Sequence, residues 1–179
     1  MEEEREAKML SKKMQDAMND QVNEELFSGY LYYSMSAYFE SISLPGFAHW
    51  MRVQALEEQE HAHRFYNFIN ERGGKVDLKA VAAPKTEWSS PIEMFEEALK
   101  HERHITQRIN YLVETAQEEK DHASANFLQW FVAEQVEEEA SADEVLQRLK
   151  LVENSKGGLF MIDRELAQRA YTPSPEVTF

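Results

Sequence analysis

Four acidic residues, Glu25, Glu58, Glu102 and Glu138, each fall inside the apolar stripe of a different segment with helical periodicity. His61 follows Glu58 by three positions, on the same helical face. Carboxylates gathered in one core layer lose their hydration and repel one another, so they take up protons or bind cations. Two divalent or trivalent ions would reverse that balance. Carboxylate oxygens with one imidazole suit iron or manganese, and a chain without cysteine offers no thiolate for structural zinc or an iron–sulfur cluster. Glu58, paired with His61, is the carboxylate best placed to bridge two metals.

Phase supports the inward assignment. At about 100° per residue, Met18, Val22, Gly29, Tyr32 and Ser36 lie within about 60° of Glu25, whereas Glu24 points away. Phe95, Leu99, Thr106, Ile109 and Val113 surround Glu102 in the same way, and Phe127, Phe131, Ala142, Val145 and Leu149 surround Glu138. Two Glu-x-x-His pairs overlap. Glu58/His61 shares the face of Phe47, Trp50, Phe65 and Phe68, while Glu60/His63 lies more than about 120° away and is expected at the surface.

Four long helices are needed to position these residues. The first is expected from about Ser11, its cap, to Glu40, followed by a break at 41–46. The second runs from about Phe47 to Arg72 and stops at Gly73-Gly74. Residues 75–90 are polar, contain Pro84 and lack a helical period. Ser90-Pro91-Ile92-Glu93 joins a capping-box pattern to a proline at the first helical position, opening a third helix to about Lys120. Asp121 caps a fourth, reaching about Lys150. After Gly157-Gly158 comes a short amphipathic segment, Leu159 to Ala170, then a tail with prolines. The expected organisation is an N-terminal extension at 1–10, a bundle at 11–152, and a short fifth helix with tail at 153–179 of the same domain.

Short turns make each outer pair of helices an antiparallel hairpin. The middle connection, about 16 residues, spans roughly 50 Å when extended, and a helix of this size is about 40 Å long. The loop can therefore return along the bundle and leave helices two and three parallel. The expected fold class is all-α, a ferritin-like four-helix bundle with one long crossover. In that arrangement the four carboxylates fall in one layer, their axial offsets being only about 4–5 Å.

Bulk properties exclude several classes. A chain of 179 residues with formal net charge −14 lacks the basic surface that nucleic acid or an anionic membrane requires. It contains no apolar run of membrane-spanning length, and its start, Met1-Glu-Glu-Glu-Arg-Glu, has no signal-peptide character. A cytoplasmic protein that attracts cations is expected.

At these residues the chain resembles the bacterial and archaeal non-haem ferritins over nearly its full length. The matching stretches are Asn23-Glu-Glu-Leu26, Leu31-Tyr32, Glu57-Glu-x-x-His61, His101-Glu102, Ile105-Thr-Gln107, Phe127-Leu-Gln-Trp130 and Glu134-Gln-Val-Glu-Glu-Glu139. Phe160-Met-Ile-Asp163-x-Glu165-Leu166 fits the family's short fifth helix. The resemblance implies iron storage with ferroxidase activity. Fe²⁺ would be oxidised by O₂ or H₂O₂ and kept as ferric mineral inside a homo-oligomeric shell of 24 subunits. It implies one iron on Glu25, Glu58 and His61 and a second on Glu58, Glu102 and Glu138, with Gln135 beside the oxygen-binding edge. Tyr32 would be the phenol next to the site, hydrogen-bonding and able to donate an electron. Glu57, Glu134 and Glu137 match an accessory third iron site.

The chain departs from related patterns in ways that narrow the resemblance. The symmetric di-iron proteins carry a second Glu-x-x-His on the fourth helix, but Glu138 is followed at that spacing by Ser141. Fewer strong ligands favour iron as a passing substrate over iron as a fixed cofactor. Haem-binding bacterioferritins have that second histidine, and methionine where this chain has Gln59, so no haem is expected. The rubredoxin-type module of rubrerythrins is missing along with the cysteines. His49, His101, His104 and His122 are expected at the surface or in hydrogen bonds. Glu118-Glu-Lys-Asp121-His122 is either a solvated turn or part of a cation-attracting pore. Two rival readings are a di-iron oxidase that retains its metals and a metal-free helical assembly protein.

Overall fold

The computed structural model describes residues 10–173, in which five helices lie in the order α1 (Lys12–Ser41), α2 (Pro45–Glu71), α3 (Pro91–Glu118), α4 (His122–Leu151) and α5 (Lys156–Leu166). Local chemistry sets their ends. Ser11 caps α1 by accepting from the Met14 amide at 3.0 Å, and Ser90 caps α3 by accepting from Glu93 at 3.1 Å. Asp121 caps α4 through the Ser124 amide at 3.1 Å and also pairs with Arg72, at the end of α2, at 3.0 Å. That ion pair ties the two hairpins together at one end of the bundle. Gly73 takes a φ of 68° immediately after α2, the left-handed backbone that a helix stop requires.

The long connection is a crossover. Asn19, early in α1, donates to the Lys75 carbonyl at 3.0 Å, and the Asp77 amide donates back to its Oδ1 at 2.7 Å. Further on, Ser34 donates to the Lys85 carbonyl at 2.7 Å and Tyr38 to the Trp88 carbonyl at 2.6 Å. The connection thus climbs the length of α1 and delivers α3 to the end where α2 began. Helices α2 and α3 run parallel, as the loop-length argument requires. Trp88 anchors this climb: within a segment expected to be polar, its ring is buried against Tyr38 and the core.

Two boundaries differ from expectation. Helix α2 begins at Pro45, two residues before Phe47, and its N-cap residue, Leu44, supplies no side-chain cap. Asp163 of α5 supplies it instead, accepting from the Gly46 and Phe47 amides at 2.8 and 3.1 Å. The approach is so close that a Cβ on Gly46 would lie 1.7 Å from the Asp163 carbonyl oxygen, so glycine is required there. Helix α5 covers Lys156–Leu166 in place of Leu159–Ala170. Ser155 caps it through the Gly158 amide at 3.0 Å, which draws both glycines into the first turn rather than leaving them as a break. Of the expected extension at 1–10 only Leu10 is described, and it is buried. The tail beyond 173 lies outside the described residues.

The apolar interior falls into two clusters, one built on Phe39, Phe47, Trp50, Met51 and Phe95, the other on Met14, Met18, Phe65, Ile69 and Phe131. Between them lies a layer of buried polar side chains. No described helix is long and apolar enough to cross a membrane.

Candidate metal centre

Each helix of the bundle contributes to that layer. Gln21 and Glu25 come from α1, Gln54, Glu58 and His61 from α2, Glu102 from α3, and Gln135 and Glu138 from α4, all of them buried. Ligand atoms of Glu25, Glu58 and His61 lie within 4.8 Å of one another, and so do those of His61, Glu134 and Glu138. His61 Nδ1 is 3.4 Å from Glu58 Oε2, and its ring is fixed edge-on between Trp130 and Phe131.

Neutral donors hold the remaining carboxylates. The Tyr32 hydroxyl donates to Glu102, and Gln135 Nε2 reaches the Glu102 carbonyl at 3.1 Å and its Oε2 at 3.4 Å. Gln54 Nε2 donates to Glu138 Oε2 at 2.7 Å, and Gln21 Nε2 to Glu25 Oε1 at 2.8 Å. Arg108 Nε in turn donates to Gln21 Oε1 at 2.9 Å, orienting that amide. With Glu102 drawn toward Tyr32 and Glu138 toward Gln54, the ligand atoms of Glu58, Glu102 and Glu138 do not converge as tightly as those of Glu25, Glu58 and His61.

Electrostatics makes the layer costly to ionise without a counter-charge. Burial drives the Glu138 carboxyl up to about 8, with the Glu102 charge adding to the shift. Burial likewise takes Glu102 up to about 7, opposed by the Tyr32 and Gln135 hydrogen bonds. Glu58 is raised well above the usual carboxylate range by burial and then by Glu102, Glu25 and Glu138, and Glu25 is also raised by burial. Glu25 Oε2 is sealed from solvent and receives no amide, hydroxyl or cationic donor, and the Glu25 carboxyl faces that of Glu58. An orphaned carboxylate oxygen beside an imidazole, with oxygen and nitrogen as the only donor types, fits hard or borderline cations such as iron.

The accessory residues are spread more widely. Glu134 is half-buried and close to His61 and Glu138, whereas Glu137 is exposed. Glu57 pairs with Arg169 at 2.7 Å, and burial takes its carboxyl up to about 7 against the pull of that guanidinium. Glu60, expected at the surface, is buried because Tyr171 from the segment after α5 lies over it and donates to its carboxylate. His63 is half-buried and stacks on Tyr66. Among the other histidines, His101 Nε2 is 2.7 Å from Ser28 Oγ, and burial together with His104 lowers its pKa to about 4. His49 donates to the Arg169 carbonyl at 2.7 Å, and the exposed His104 pairs with Glu24.

Gln21 and Gln54 belong to the layer although they were not among the residues expected there. Each precedes one of the buried glutamates by four residues on the same face, so helical phase marks them as it does the glutamates. Arg169 and Tyr171 left no local signal, because their partners are more than a hundred residues away.

The sequence pattern of the Ferritin-like domain matches residues 15–152. A bacterial non-heme ferritin of Bacteroides fragilis (strain 638R) is 43% identical over 161 residues, covering 90% of this chain and 100% of that protein. Another, from Staphylococcus aureus (strain MRSA252), is 40% identical over 163 residues, covering 91% and 98%. Among solved structures, a novel open pore ferritin from the hyperthermophilic archaeon Archaeoglobus fulgidus superposes with a TM-score of 0.89. It is 52% identical and covers 90% of this chain and 98% of that one.

Proposed function

The chain belongs to the ferritin-like family, and on that premise we propose that it stores iron, oxidising Fe²⁺ at the buried carboxylate layer and keeping Fe³⁺ as mineral inside an oligomeric shell. One observation carries this reading. Four carboxylates and an imidazole from all the bundle helices meet in a single buried layer that divides the apolar core. A metal-free function leaves that arrangement as an uncompensated cost.

Two Fe²⁺ ions are the substrates. Glu25, Glu58 and His61 hold the first, and Glu58, Glu102 and Glu138 close on the second when Tyr32 and Gln54 yield their hydrogen bonds. Each ion gives one electron, and the pair reduces O₂ with two protons to H₂O₂, or H₂O₂ with two protons to water. Gln135 orients Glu102 through its side-chain amide, and the Tyr32 phenol holds the same carboxylate by a hydrogen bond until the second ion takes its place. The second position has no imidazole, since Ser141 stands where a ligand histidine would be, so Fe³⁺ is weakly retained there and passes on. Glu134, close to His61 and Glu138, is the next carboxylate on that path, with Glu57 and Glu137 as accessory residues. Assembly into a shell is supported by Phe160 and Met161, two large apolar side chains exposed next to each other on α5 of the single chain.

Size-exclusion chromatography of iron-loaded protein tests the proposal. A particle of about 24 chains carrying far more than two irons per chain is expected. A species holding two irons per chain and no more would instead mark a fixed di-iron enzyme.

A further inference from the structure

Beyond α5 the chain turns and lies along α2. The Ala167, Gln168 and Arg169 amides donate to the Asp163, Glu165 and Leu166 carbonyls, which brings the main chain back over the bundle. His49 holds the Arg169 carbonyl, and the Arg169 guanidinium lies over the Trp50 indole, 4.5 Å from its centroid. Its Nη2 donates to Glu57 Oε2 at 2.7 Å, and two residues later Tyr171 donates to Glu60. These contacts follow one face of α2 from His49 to Glu60, directly beside the carboxylate layer. Glu57 there also faces the like charges of Glu134, Glu60 and Glu137.

We propose that Arg169 is a built-in counter-cation for this acidic face, and that residues 167–173 form a strap which an accessory cation must lift to recruit Glu57. The inference rests on the metal-pair reading of the adjoining layer and extends it. A guanidinium stacked on an indole and bonded to a carboxylate occupies the charge position that a metal ion would take. Glu134 is differently placed, since its ligand atom lies within 4.8 Å of those of His61 and Glu138. A cation leaving the pair is therefore received on the Glu134 side, and Glu57 completes its coordination only as the guanidinium departs. The Arg169 and Glu57 side chains retain 22% and 25% of their exposure, so water reaches the pair and the exchange is feasible.

The test uses the metal-free full chain, Arg169→Gln and Arg169→Lys, titrated calorimetrically with Zn²⁺, which cannot be oxidised. Hydrogen exchange of the 164–173 region, read by mass spectrometry, is followed through the same titration. The first two equivalents should bind alike in all three proteins. The third should bind roughly tenfold more tightly to Arg169→Gln than to the parent, with Arg169→Lys close to the parent. In the parent, exchange of 164–173 should rise at the third equivalent and not at the first two. An unchanged third equivalent in Arg169→Gln, even with a loosened strap, would reduce Arg169 to a packing role and overturn the proposal. So would a parent strap that stays protected at saturation. Loss of the first two equivalents in every protein would instead overturn the metal-pair reading, and the strap with it.

Discussion

Glu138→Gln should stabilise the metal-free protein while disabling its metal chemistry. The Glu138 carboxyl titrates at about 8 in the folded chain, because it is buried next to Glu102, against an ordinary 4.5. A carboxyl whose folded pKa lies above its unfolded value contributes stability that is complete below pH 4.5 and is withdrawn as pH rises through about 8. The withdrawal is at most about 1.4 kcal/mol per pH unit and tapers near each pKa, so between pH 5 and pH 8 this one group removes on the order of 3–4 kcal/mol. Glutamine keeps the shape, still accepts from Gln54 through its amide oxygen, and carries no charge. At pH 8 the variant should therefore melt higher than the parent by roughly 5–10 °C, while at pH 5 the two should nearly coincide. Thermal unfolding followed by circular dichroism in excess chelator reads this directly, and adding Zn²⁺ at pH 8 should reverse the order. Equal melting of parent and variant at pH 8 without metal would show that the layer is not electrostatically frustrated, and the case for cations as its purpose would lose its physical basis.

Three further outcomes can be checked. Glu58→Ala removes the carboxylate assigned to both proposed metal positions, so stopped-flow oxidation of Fe²⁺ should slow by orders of magnitude while the proposed shell still assembles; His63→Ala, stacked on Tyr66 outside the layer, should leave the initial rate nearly unchanged. Ser141→His adds an imidazole one turn after Glu138, and crystals soaked in limiting Fe²⁺ should change from preferential filling of the Glu25/Glu58/His61 position to near-equal filling of both, with fewer irons processed per chain. Gly46→Ala places a methyl 1.7 Å from the Asp163 carbonyl and should undock α5, seen as faster hydrogen exchange across 156–171, whereas Asp163→Ala removes only the cap. The latter should cost about 1 kcal/mol in chemical denaturation.

The order, number and approximate ends of the helices were legible in the chain because capping and periodicity act within a few residues. Ser11, Ser90-Pro91 and Asp121 mark their helix starts without reference to anything distant. The glutamates were legible for a related reason: a carboxylate in an apolar stripe is an anomaly on its own helix, whatever the other helices do. The crossover was legible because loop length and helix length share one unit. At the C-terminal side local signals mislead, since the glycine pair at 157–158 reads as a break and is carried into α5 by Ser155.

Residue order alone settles which side chains must be buried together and the charge conflict they create. How that conflict is arranged depends on the packing of the helices. Tyr32 and Gln54 hold Glu102 and Glu138, Glu25 Oε2 is left without an amide, hydroxyl or cationic donor, and Arg169 reaches Glu57 across more than a hundred residues. The physical reason is range. Helix phase is a property of neighbours in the chain, whereas the partner that satisfies a buried charge is set by which surfaces the packed helices bring face to face.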